Sequence, residues 1–108
     1  MSQVTTHVLD AALGIPAPGI AVALSGPSGE LIATGETDAD GRIAELGPAA
    51  LTPGDYRLEF QVGAYFAASG RSTFYPRVTL DFIVTDATAH YHVPLLLSPF
   101  AYSTYRGS

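Results

Sequence analysis

Along most of the chain, apolar and polar residues alternate with a period of two, the pattern of strands with one face buried. YRLEFQV shows it most clearly, with Tyr56, Leu58, Phe60 and Val62 on one face and Arg57, Glu59 and Gln61 on the other. VTLDFIV repeats it with Val78, Leu80, Phe82 and Val84. THVLDAAL, IAVALS, LIATGET, RIAEL, HYHVPLLLS and AYSTYRG read as further strands. Turn clusters stand between them: GIPAPG, GPSGE, DADGR and the loop GPAALTPGD with its two prolines. Helical periodicity is confined to AYFAASGR, residues 64–71, about two turns ended by Gly70. Seven or eight short strands separated by turn signals predict an all-β fold, an antiparallel β-sandwich. At 108 residues there is room for one core, so residues 1–108 are expected to form a single domain without repeat or linker.

Composition removes several function classes. The absence of Cys excludes disulfides, thiolate metal sites and cysteine nucleophiles. With no Asn there is no N-glycosylation acceptor. The first residues, MSQVTTHVLD, lack the basic and apolar segments of a signal peptide, and no apolar run nears the ~20 residues of a membrane helix. A cytoplasmic protein without a membrane partner is therefore expected. Net charge is -5, Lys is absent, and the five arginines (42, 57, 71, 77 and 106) are scattered, so no basic patch for nucleic acid is visible. Charged residues make up 14% of the chain, against about 25% in typical domains. A small surface so poor in charge predicts that part of it is buried against copies of the same chain.

Three histidines are the first candidates for chemistry. His90 and His92 lie two apart on one strand and share a face, and His7 lies on the first strand, opposite the face of Val4, Thr6 and Val8. Three imidazoles suffice for a catalytic zinc, although an H-x-H spacing is weakly specific and a hydrogen-bonded structural histidine is the plainer reading. In DADGR, the glycine and glutamate positions of a calcium loop are not met. The segment reads as a tight turn, opened by Asp and closed by Gly41, that fixes where Arg42 points. GPSGE lacks the spacing of a nucleophile elbow, and no phosphate loop, dinucleotide fingerprint or H-E-x-x-H occurs. No strand face carries paired carboxylates, so a glycosidase is unsupported.

The last seven residues, YSTYRGS, are unusual for a chain end. As a strand they place Tyr102, Thr104 and Arg106 on one face and Ser103, Tyr105 and Gly107 on the other. Such a strand either pairs as a sheet edge or lines a pocket where hydroxyls and a guanidinium meet a small polar ligand.

HVLDAALGIPAPGI, TDADGR, TPGDYRLEF, GAYF, FYPRV and HYHVPLLLSPFAYSTYRGS occur in this order. Together they resemble the transthyretin-related proteins, specifically the 5-hydroxyisourate hydrolases, from about residue 5 to residue 108. The terminal YRGS is the tetrapeptide that separates these enzymes from the hormone carriers of the same family. The resemblance implies a prealbumin-like sandwich of two four-stranded sheets with one short helix. It also implies a homotetramer, a dimer of dimers with active sites in the channel between dimers. The implied reaction is hydrolysis of 5-hydroxyisourate at a ring amide, giving 2-oxo-4-hydroxy-4-carboxy-5-ureidoimidazoline, without a metal or other cofactor.

By the same resemblance, His7, Arg42 and His92 match catalytic positions, and Tyr105, Arg106, Gly107 and Ser108 match the terminal tetrapeptide. The implied catalytic set is His7, Arg42, His92 and Ser108. The implied substrate-binding set is His7, Arg42, Tyr105, Arg106 and Gly107. Either His7 or His92 can serve as the base, Arg42 stabilises an oxyanion, Tyr105 orients the ring, and the Ser108 hydroxyl or carboxylate orients a histidine or the water. His90 matches no catalytic position and takes the structural reading. Arg77, Ala101, Ile15 and Pro18 depart from the usual pattern, none of them at a catalytic match. A non-catalytic small-molecule carrier with the same sandwich is the alternative.

Overall fold

The computed structural model describes residues 2–108. The chain forms β1 (Val4–Asp10), β2 (Ile15–Pro16), β3 (Ala21–Ser25), β4 (Leu31–Glu36), β5 (Arg42–Ile43), β6 (Gly54–Phe60), α1 (Val62–Ala68), β7 (Val78–Val84), β8 (Tyr91–Ser98) and β9 (Ala101–Thr104). One sheet runs β4-β3-β6-β7 and the other β2-β1-β8-β9, with β5 also paired to β1. The alternating side chains do what their period predicts. Leu24, Leu58, Phe60, Leu95, Leu97 and Phe66 are fully buried in one continuous core.

The expected all-β sandwich with one short helix is therefore what the chain adopts, and four particulars differ. The first sheet, the one that holds β1, has five strands rather than four, because the two-residue strands β2 and β5 both pair with β1. β5 stops after Ile43 although RIAEL reads as a longer strand, since Ser2 Oγ donates to the Ala44 carbonyl and accepts from the Leu46 amide, pulling the chain away. The helix begins at Val62, two positions earlier than its pattern predicts. Val62 satisfies both periods, closing the alternation of β6 and pairing with Phe66 one helical turn on, and both are buried.

The fourth difference is the pairing of β1 with β8, which is parallel, from Val4 opposite Tyr91 to Asp10 opposite Leu97. A parallel pair needs a long crossover, and here the whole second sheet serves as that connection. On the outer face of this sheet, alternation lines up Thr5, His7 and Leu9 of β1 with His92, Pro94 and Leu96 of β8. Asp10, at the end of β1, faces inward and is fully buried. Its carboxylate accepts from Arg71 at 2.6 Å, from the Tyr65 hydroxyl at 2.8 Å and from the Leu13 amide at 3.1 Å, tying the end of the helix to the first sheet.

Candidate active site

The DADGR turn is built as its residues dictate. Asp38 Oδ1 accepts the amides of Asp40 and Arg42, and the Gly41 amide donates to the Asp38 carbonyl. Gly41 has φ +74, and a Cβ there would lie 2.3 Å from the Val8 carbonyl oxygen. The Gly41 carbonyl in turn accepts the Val8 amide at 2.7 Å, so the turn is clamped to β1. This sets Arg42 directly opposite His7 in the antiparallel β1–β5 ladder, with both side chains on the outer face.

His7 is half-buried, and its Nε2 lies 2.9 Å from the Asp40 carbonyl oxygen. A carbonyl only accepts, so Nε2 carries the proton and Nδ1 is the free nitrogen of the neutral ring. His92 stands on the neighbouring strand in register with Thr5, and its Nδ1 lies 2.8 Å from the Thr5 hydroxyl. The same hydroxyl is 3.0 Å from Nε2 of His90, whose ring is exposed. The three histidines do not converge as ligands, and among the described residues no three His, Cys, Asp or Glu are placed to hold a metal ion. Burial, followed by the Arg42 guanidinium and then the His90 and His7 rings, lowers the pKa of His92 from the ordinary histidine value. Near neutral pH this ring is thus held in its uncharged form, able to accept a proton.

The tail returns to β8 after a gap. β9 pairs from Ser98 opposite Ala101 to Leu95 opposite Thr104, and the same register resumes where Gly107 faces His92. Pro94 explains the interruption. It has no amide proton to donate, and its carbonyl is taken by the Thr104 hydroxyl at 2.7 Å. The Gly107 amide donates to the His92 carbonyl at 2.9 Å. A Cβ at position 107 would lie 2.5 Å from Cδ2 of the His92 ring, so glycine is the residue that lets the tail rest on the imidazole.

These elements enclose two shallow concavities that share His92. One, of about 220 Å³, is lined by Arg42, His92 and Ser108 of the expected site, together with Thr5, Thr6 and His90. His7 sits beside it, opposite Arg42, without lining it. The other, of about 420 Å³, opens between β7 and the tail and takes in Tyr105 and Arg106. Arg106 is turned away from Arg42 and lies over the Tyr91 ring, 4.6 Å from its centroid. The structure therefore joins Arg42, His92, Gly107 and Ser108 around one centre, sets His7 at its rim and puts Tyr105 and Arg106 on the far side of His92.

Thr5 and the Asp40 carbonyl enter the centre unannounced. A backbone carbonyl leaves no mark in a sequence. Thr5 did leave one, because it is two residues before His7 on the same strand face. His90, read as structural, shares its hydroxyl partner with His92.

The HIUase/Transthyretin family matches residues 4–107. The 5-hydroxyisourate hydrolase of Caulobacter vibrioides is 48% identical over 115 aligned positions, covering 100% of both chains. The solved 5-hydroxyisourate hydrolase of Klebsiella pneumoniae is 44% identical, with a TM-score of 0.90 over 97% of this chain and 98% of that one. Sea bream transthyretin, solved with thyroxine, is 35% identical, with a TM-score of 0.91 over 97% of this chain and 94% of that one. By the extent of the family match and the identity to these relatives, the chain belongs to the HIUase/Transthyretin family.

Proposed function

We propose that this protein hydrolyses 5-hydroxyisourate in urate degradation, with the Arg42–His92 centre as its active site. The observation that carries the site assignment is the placement of a neutral imidazole and a guanidinium, the latter on a backbone clamped by the DADGR turn, around one small concavity.

His92 has Nδ1 engaged by Thr5, which leaves Nε2 for the reaction. It takes a proton from water as the water oxygen bonds to the ring-amide carbonyl carbon. The carbonyl electrons move onto its oxygen, and Arg42 stabilises the oxyanion through its planar donor fork. As the intermediate collapses, the C–N bond breaks and His92 returns the proton to the leaving nitrogen. This gives 2-oxo-4-hydroxy-4-carboxy-5-ureidoimidazoline. His7 presents Nδ1 to the substrate edge, and Ser108 and Gly107 hold the tail side of the site. His92 is favoured as base because its environment keeps it uncharged.

A cavity of about 220 Å³ is smaller than the ~300–1,000 Å³ that ordinarily encloses a small ligand. Leu13 and Ile15 stand 56% and 49% exposed beside β1. Both features support a homotetramer, a dimer of dimers in which a second copy closes the site.

The test is the decay of 5-hydroxyisourate freshly made from urate with uricase, followed with and without the protein in the presence of a chelator. Acceleration that survives chelation is expected. A folded protein leaving the spontaneous rate unchanged would overturn the reading and favour a carrier, and acceleration lost to the chelator would assign a metal to the reaction.

A further inference from the structure

Thr5 Oγ1 stands between two imidazole nitrogens, 2.8 Å from Nδ1 of His92 and 3.0 Å from Nε2 of His90. Thr5 is buried, 9% exposed, so this hydroxyl has little access to water. It has one proton to give, so of the two nitrogens one receives that proton and the other must donate. With both rings neutral, two arrangements satisfy every group. Either His90 donates and His92 accepts at Nδ1, or His92 donates from Nδ1 and His90 accepts. Only the second leaves the lone pair of His92 on Nε2, the nitrogen free for the reaction.

We propose that Thr5 and His90 are positioning residues for the hydrolysis set out above, forming a relay that fixes the His92 tautomer and holds its excess proton on His90 until the leaving nitrogen takes one. The relay rests on that functional reading. When His92 Nε2 takes a proton from water, its Nδ1–H bond breaks and that proton passes to Thr5 Oγ1. The original Thr5 O–H proton moves to Nε2 of His90, forming a new N–H bond there. No proton is created or lost, and the positive charge moves from His92 to His90. The move is downhill in solvation, because the His90 ring is exposed and the His92 ring is half-buried. When Nε2 gives its proton to the leaving nitrogen the chain runs back: the His90 Nε2–H proton passes to Thr5 Oγ1 and the Thr5 O–H proton to His92 Nδ1, so His92 ends neutral in its starting tautomer.

The groups that face His92 are His90 just before β8, Thr5 and His7 on β1, Arg42 on β5, and Gly107 and Ser108 on the tail. The Arg42 guanidinium opposes a charge on His92, and of the three groups in the relay (His92, Thr5 and His90) His90 is the exposed one.

Three variants test the relay on 5-hydroxyisourate turnover: Thr5→Val, Thr5→Ser and His90→Gln. Thr5→Val keeps the shape and removes the hydroxyl. It should lower kcat about tenfold or more, with KM little changed, and Thr5→Ser should recover most of that loss. His90→Gln keeps a hydrogen-bonding side chain but takes no proton, and should lose rate as Thr5→Val does. The double variant should be no slower than either single one. Wild-type rate in His90→Gln, or a Thr5→Ser as slow as Thr5→Val, overturns the proposal. If Thr5→Val does not fold, Thr5→Ser and the exposed His90→Gln carry the test. Imidazole 15N shifts of the substrate-free protein give a readout that needs no activity. The titrations of His92 and His90 should be linked in the wild type and independent in Thr5→Val. If the wild type fails to hydrolyse the substrate, the functional reading fails, and unchanged titrations in Thr5→Val would separately sink the relay.

Discussion

Gly107 rests on His92, with its amide on the His92 carbonyl and no room for a Cβ against the ring. Gly107→Ala should therefore displace either the imidazole or the tail. We expect turnover to fall about tenfold to a hundredfold, the range of a misplaced acid–base group, while the melting temperature changes little. Steady-state kinetics beside a thermal melt will check it. Full turnover in Gly107→Ala would mean that the tail is a sheet edge and nothing more.

Arg42→Ala and His92→Asn remove the proposed oxyanion donor and the proposed base. Each should cost at least about 100-fold in kcat and leave the oligomer intact by size-exclusion chromatography. A variant that turns over near the wild-type rate takes its residue out of the mechanism.

The acid limb of kcat/KM should lie below the ordinary histidine range of about 6.5, because His92 must be neutral to act. Activity is present above that limb and is lost as pH falls through it. Arg42→Gln removes one of the charges that depress His92 and should move the limb to higher pH at its much reduced rate. A limb that does not move would show that the guanidinium does not set the ring's titration.

The strands were legible because their alternation is local, and so was the convergence of His92 with Arg42 once a family pattern aligned them. What escaped was non-local. Nothing in THVLDAAL or HYHVPLLLS says that they pair in parallel. RIAEL carries five strand-like residues, yet Ser2 ends the pairing after two of them. Pro94 breaks the tail's ladder by lacking a proton, a fact visible in the sequence only when its partner strand is known. His90 reads as structural because it matches no catalytic position of the family, and its contact with a threonine hydroxyl more than eighty positions away leaves no mark in the sequence.

Asp10 supplies a prediction about stability. Burial raises its carboxyl pKa, yet the bonds from Arg71, Tyr65 and the Leu13 amide outweigh that and hold it below the usual carboxylate value. Its contribution is thus fully present above the unfolded-state pKa of about 3.9 and is lost as pH falls through the lower folded-state one. Arg71→Met removes the cation beside the buried Asp10 carboxylate and should lower stability near neutral pH. The gap to the wild type should narrow in acid as Asp10 protonates. Chemical denaturation across pH will show this, and a variant as stable as the wild type at neutral pH would refute it.

Clamping Gly41 between β1 and the DADGR turn makes that position intolerant of any side chain. Gly41→Ala has to adopt a left-handed backbone and push back the Val8 carbonyl, so a loss of about 1–3 kcal/mol is expected, with turnover falling as Arg42 shifts. Equal melting temperatures for Gly41→Ala and the wild type would show that the turn relaxes freely.

The parallel seam between β1 and β8 also says when in its life the molecule can act. Thr5 and His92 are 87 positions apart, and their contact closes almost the full length of the polypeptide. Such distant pairings are slow to form, because the chain must give up its freedom before the contacts repay it. A nascent chain still missing β8 holds half of the catalytic groups and none of the other half. On the proposed mechanism, catalysis is thereby reserved for molecules in which β1 and β8 have met, and recovery of turnover after dilution from denaturant would time that meeting.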